Sequence, residues 1–258
     1  MERVQAMTIN KTDLLVKAQE LRKALGEDDD SPMDIFALVL SIEKLTLVRY
    51  PMGERLSGMC IKNEKGNVLA INSGMTLGRQ RFSLAHELYH LYYDEKMTAI
   101  CEVTIGSGND IEKSADQFAS YFLIPPVSLK SKIAKLRAGS HIKELGVNEI
   151  VRLEQYYGVS RQAMLTRLID DRTIKPANAD ALRTNVIRSA SSLGYSSELY
   201  SPLPEEKQYQ TFGYLIEQAN IALDKGLISD GKYEEMLLQA FRSDIVYGED
   251  DGGGEIVD

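Results

Sequence analysis

Two of the chain's three histidines, His86 and His90, stand four residues apart in His86-Glu87-Leu88-Tyr89-His90. Around them, residues 78–94 carry Phe82, Leu84, Ala85, Leu88 and Leu91, which leave little polar face. Such a segment is expected to form a helix buried round most of its circumference. A spacing of four puts both imidazoles on one side of it. The fold must therefore be built around this helix and must satisfy two histidines in its interior. Two neutral imidazole nitrogens suit a zinc ion. Glu87 falls about 100° round the helix from His86, beside such an ion without binding it. From there a carboxylate takes a proton from a water that attacks a carbonyl carbon. The competing reading is a pair of core histidines bonded to backbone carbonyls.

A catalytic zinc site takes three protein ligands and keeps one position open. The acids downstream are Asp94, Glu95, Glu102, Asp110, Glu112 and Asp116. Residues 111–123 read as a helix with Ile111, Ala115, Phe118, Ala119 and Phe122 on one stripe. Ala115 and Ala119 let that helix approach the histidine helix closely. The favoured arrangement takes Glu112 as third ligand and Asp116 as the partner that orients a ligand histidine. The alternative leaves both as solvated helix residues.

The rest of the chain supplies a frame. Residues 11–25 and 34–42 read as helices. Residues 45–50, 58–61 and 68–71 are short, apolar and partly β-branched, with hairpin material at 62–67. They predict a small antiparallel sheet whose segment 58–61 is an exposed edge beside the metal helix. Pro125-Pro126 ends the helix at 111–123, and helices follow at 129–138, 148–157 and 160–169. The fold class is α+β and mostly helical. A first domain spans residues 1–175, a Ser- and Pro-rich linker 176–204, an acidic helical module 205–247 and a Gly- and acid-rich tail 248–258.

Charge separates the two ends. Residues 1–175 carry 24 Lys and Arg against 23 Asp and Glu, and residues 176–258 carry 6 against 15. An acidic third is repelled by phosphates, so nucleic acid is not an expected partner. No apolar run is long enough to cross a bilayer and residues 1–13 lack the apolar centre of an export signal, so the expected location is the cytoplasm. Cys60 and Cys101 make no disulfide framework and read as small buried residues. Were one of them to take the fourth zinc position, the site would be closed.

The run Arg81-Phe82-Ser83-Leu84-Ala85-His86-Glu87-Leu88-Tyr89-His90, then Glu112-x-x-Ala115-Asp116-x-Phe118-Ala119, then Leu123-Ile124-Pro125, resembles the ImmA/IrrE family of bacterial metallopeptidases. Leu56-Ser57-Gly58 is similar too, and the resemblance covers about residues 10–175. It implies a zincin-like fold of the gluzincin kind, with zinc held by His86, His90 and Glu112 and Glu87 as general base. It also implies a protein substrate: a helix-turn-helix repressor or antitoxin-like regulator, often encoded by a phage, mobile element or stress locus. Tyr89 departs from the family's usual glycine. It either fills space or bonds the developing oxyanion as a transition-state stabiliser. The rival functions are a non-catalytic zinc-fold regulator that binds a protein or DNA, and a component of a toxin–antitoxin pair.

Two weaker signals remain. Residues 148–169 have the outline of a helix-turn-helix, but acids nearly cancel their arginines. Lys130, Lys132, Lys135, Arg137 and Lys143 form a basic stretch round His141, which reads as a solvated helix face.

Overall fold

The computed structural model describes residues 9–102, 104–106, 109–138 and 144–248. The expectations placed on His141, Lys143 and residues 249–258 lie outside these. Two helices open the chain, α1 (Lys11–Ala24) and α2 (Ile35–Leu40). Asp34 caps α2 by accepting from the backbone N–H groups of Phe36 and Ala37. Three strands follow: β1 (Leu45–Tyr50), β2 (Leu56–Ile61) and β3 (Asn67–Asn72). Then come the histidine helix α3 (Leu77–Tyr93), strand β4 (Thr98–Glu102) and helix α4 (Asp110–Leu123).

The sheet is mixed, with five strands in the order β4-β2-β3-β1-β5, where β5 is Gln210–Gly213. An all-antiparallel sheet was expected, but β1 and β3 run parallel, from Leu45 opposite Asn67 to Tyr50 opposite Asn72. The reason lies in the connection from β1 to β2, which must cross the end of β3. Asn72, buried at that end, holds the crossing. Its Nδ2 donates to the carbonyls of Gly53 (2.6 Å) and Leu56 (2.7 Å), and its Oδ1 accepts from the Met52 N–H (3.1 Å). One amide thus satisfies backbone groups that a sheet ladder cannot reach. A second correction concerns the edge. β2 packs on α3 as expected, but it lies inside the sheet between β3 and β4, so the edge on that side is β4, not residues 58–61.

Beyond α4, Pro126 opens a new helix, α5 (Pro126–Ala138), in the first turn, where a proline costs no helix hydrogen bond. α6 (Val147–Tyr157) ends at Gly158 in the left-handed conformation, and Ser160 caps α7 (Arg161–Asp170). The helix-turn-helix outline of α6 and α7 is turned inward. Met164, Leu165 and Leu168 are fully buried. Arg167 donates to the Ser120 and Ile124 carbonyls. Arg161 bonds Glu154 and the Leu182 carbonyl.

The span expected to be a linker is built. It holds α8 (Pro176–Leu182), α9 (Val186–Ser191) and a tight turn at Glu198–Tyr200. Ala179 belongs to the main core, and Ala190, Leu199 and Tyr200 pack with Val151 of α6. Strand β5 then joins the sheet beside β1, with Gly213 opposite Thr46. Gly213 has φ +83°, and a Cβ there would meet the Leu45 carbonyl oxygen at 2.5 Å. The acidic helices α10 (Tyr214–Asp224), α11 (Asp230–Gln239) and α12 (Ser243–Tyr247) are therefore tied to the metal-helix domain through a shared sheet.

Candidate metal centre

Helix α3 lies at the middle of the molecule, with His86, Glu87 and His90 buried. Its start is fixed by distant parts of the chain. The Leu77 N–H donates to the Ser201 carbonyl, and Gly78 lies so close to the α6–α7 turn that a Cβ would come within 2.8 Å of the Ser160 nitrogen. Helix α4 packs along α3 through the fully buried Ala115 and Ala119, as their small size predicts. That approach brings Glu112 and Asp116 to the histidines.

The two rings are oriented by carboxylates. His86 Nδ1–H donates to Asp116 Oδ1 at 2.9 Å, and His90 Nδ1–H donates to Asp94 Oδ2 at 2.9 Å. A neutral imidazole whose Nδ1 carries the proton presents a bare lone pair at Nε2. The two Nε2 atoms face each other at 3.2 Å, with Glu112 Oε2 at 3.3 Å from His86 Nε2 and Glu112 Oε1 at 3.6 Å from His90 Nε2. Two lone pairs and a carboxylate converging in a buried space repel one another unless a cation sits between them. These separations match the edge of a tetrahedron whose metal–ligand bonds are about 2.0–2.1 Å long, as for zinc on nitrogen and oxygen. The donor set suits zinc.

Without a metal, a proton serves as the cation. Burial opposes the charge on His86, but its bonds to Asp116 and Glu112 prevail and lift the ring to about 9. His90 moves down through burial and the neighbouring His86. Glu112 is held below its ordinary value, first by its bond to His86. Glu87 is pushed up to about 7 by burial. Glu87 is wholly buried. Its Oε2 accepts a weak bond from the Cys101 thiol at 3.5 Å, while Oε1 has no partner among the described residues. An unpartnered buried carboxylate oxygen costs about 1–3 kcal/mol or more. A purely structural site has no use for it.

Three residues named in the sequence take roles at the centre beyond those favoured for them there. Asp94 was weighed only as a ligand, but it orients His90, and the spacing of four from His90 is the signal. Gly58 carries no such signal. A Cβ there would lie 2.5 Å from Glu87 Oε1, so only a glycine leaves room for that carboxylate. Cys101 reads from the sequence as a small buried residue, with the fourth zinc position as the alternative. It is fully buried, yet its Sγ and the donor atoms of His86, His90 and Glu112 all lie within 4.8 Å of one another. Tyr89 stacks among Tyr93, His90 and Phe118 in the core. The cavity beside the centre, about 270 Å³, is lined by His86, Glu112, Thr98, Ile100 and Glu102 and not by Tyr89.

The profile of the peptidase family M78, described as the IrrE N-terminal-like domain, matches residues 35–168. This chain belongs to that family. No curated protein matches it. The matched span runs from α2 to α7 and contains His86, Glu87, His90, Cys101, Glu112 and Asp116. As a member of a metallopeptidase-type family, the protein carries its possible metal group on α3, α4 and β4. No helix among the described residues is long and apolar enough to cross a membrane.

Gly58 gives a sharp expectation. Gly58→Ala should keep the fold and the metal but displace Glu87. A misplacement of about 1 Å commonly costs about 100-fold in rate. Metal content by atomic emission and single-turnover cleavage, read together, check this. Unchanged cleavage would mean that Glu87 does not need its present position.

Proposed function

We propose that this protein is a zinc-dependent endopeptidase of the cytoplasm that cuts a helix-turn-helix repressor or a similar regulatory protein. The observation that carries the reading is the pair of facing Nε2 lone pairs, closed by Glu112 and flanked by the unpartnered oxygen of Glu87. His86, His90 and Glu112 would hold the zinc, with Asp116 and Asp94 fixing the rings. Bound there, zinc polarises a substrate carbonyl and brings the pKa of a water to about 7. Glu87 takes that water's proton at Oε1 and delivers it to the amine nitrogen that leaves. Gly58 lets Glu87 reach that position.

Strand β4 supports an extended substrate. It is an edge strand, with Thr98, Ile100 and Glu102 facing outward, and all three line the cavity at the metal centre. A peptide that pairs with this edge lays its backbone along the cavity. A flexible segment of the substrate is then the part that is cut. The resemblance to ImmA/IrrE proteins supports a repressor as that substrate. The rival reading, a non-catalytic regulator, draws on Cys101 as a fourth donor.

The test is proteome-wide mapping of new protein N-termini in cells that express the wild type or Glu87→Gln. New termini in a flexible segment of a helix-turn-helix protein, present only with the wild type, are expected. Identical termini in both strains, or cuts confined to the interior of stable helices, would contradict the proposal.

A further inference from the structure

We infer that Cys101 is a fourth metal ligand, so that the resting site is closed and its sulfur must yield its place before a peptide is cut. The inference rests on the zinc peptidase reading above and adds a latent state to it. Cys101 is placed for this by a local feature of the sheet. Along β4, exposed and buried residues alternate, and Ala99 and Cys101 face inward. At Cys101 the pairing with β2 slips: Leu56 lies opposite Glu102 and Gly58 opposite Cys101, leaving Ser57 as the extra residue. The Ser57 hydroxyl is bound to the carbonyls of Glu102 (2.9 Å) and Cys101 (3.3 Å) and pins the irregularity. The sulfur is thereby held within 4.8 Å of both histidine nitrogens and the Glu112 carboxylate.

Two nitrogens, one carboxylate oxygen and one sulfur complete a four-coordinate zinc set, and a complete set leaves no position for water. The burial agrees. Cys101 and Glu87 are fully enclosed, and His90 is nearly so. The change is an exchange of ligands. The thiol would lose its proton as sulfur binds the metal, and Glu87 Oε2, at 3.5 Å, is placed to accept it. In the closed state sulfur therefore fills the coordination position that water needs, and Glu87 holds the proton. Opening would reverse both: the Cys101 sulfur would leave the metal and take its proton back from Glu87, which would free that position for water. A permanently structural site would gain nothing from enclosing a carboxylate with an unpartnered oxygen, so a latent enzyme fits better than an inert fold. Cys101 lies on the strand proposed to pair with substrate, so a peptide that draws β4 outward would draw the sulfur with it.

Cobalt substitution of the full-length chain tests this, because sulfur bound to cobalt gives an intense near-ultraviolet charge-transfer band and nitrogen or oxygen does not. Wild type and Cys60→Ser should show the band. Cys101→Ser and Cys101→Ala should lose it while still binding cobalt, with unchanged circular dichroism. Titrating the wild type with acetohydroxamate, a small bidentate carbonyl mimic, should bleach the band with cobalt retained, since the sulfur is displaceable. A wild type that binds one cobalt per chain without the band overturns the inference and leaves the peptidase reading intact. Survival of the band in both Cys101 variants also overturns it. A band that resists saturating hydroxamate overturns the latent state. A wild type that binds no cobalt overturns both readings.

Discussion

Glu87→Gln is expected to keep the fold and the metal and to lose about 10²–10⁴-fold in the rate of peptide cutting, the usual cost of a lost general base. The amide keeps the shape of the side chain and an oxygen that accepts from Cys101. It cannot take a proton from water. A second sign follows for the metal-free protein. Burial raises Glu87 from its ordinary 4.5 to about 7. The folded chain therefore holds this proton more tightly than the unfolded chain, and stability falls as pH rises from about 4.5 to 7. The neutral amide removes that loss, so metal-free Glu87→Gln should melt no lower than wild type at pH 8. Single-turnover cleavage and thermal melting read the two effects. Undiminished cutting would remove Glu87 from the chemistry.

The second large effect comes from the C-terminal third. A chain that stops after residue 175 is expected to lose cooperative folding and its metal together. The cut removes β5, leaving β1 as a bare edge. It removes the Ser201 carbonyl that receives the first N–H of α3, and Leu182, whose carbonyl holds the buried Arg161. It also uncovers Val151 and the Glu154–Arg161 pair, whose partner atoms are 2.5 Å apart. Arg161 then keeps Glu154 but loses the Leu182 carbonyl and the Ser189 hydroxyl, and each bond lost at a charged group costs about 1.5–3 kcal/mol. Removing residues 249–258 alone should change neither melting nor metal content. Thermal melting and metal analysis of both truncations decide this. A 175-residue chain that melts cooperatively with one metal bound would restore the separable module.

The centre was legible where its parts are local in sequence. The histidine helix, expected at residues 78–94, runs from Leu77 to Tyr93. Glu112 and Asp116 were recognisable because the alanines beside them mark a close helix–helix approach. What could not be read depends on pairing between distant segments. β5 has only four residues and owes its order to β1. The parallel pairing of β1 with β3 hangs on the side chain of Asn72. Cys101 comes close to His86, His90 and Glu112 only because β4 pairs with β2 through an irregular register, which no spacing in the sequence records. The false linker has a similar cause. Its serines and prolines suggest a loop, but α8 starts at Pro176, and α8 and α9 each bury a single alanine, Ala179 and Ala190.

The central claim is that His86, His90 and Glu112 hold one zinc. Its most direct test is the zinc content of the purified full-length chain beside His90→Ala and Glu112→Ala, with circular dichroism to confirm that each variant is folded. The account predicts close to one zinc per chain in the wild type and loss of most of it in both folded variants. Full zinc retention by folded Glu112→Ala, or a wild type that takes up no zinc when it is supplied, would contradict it.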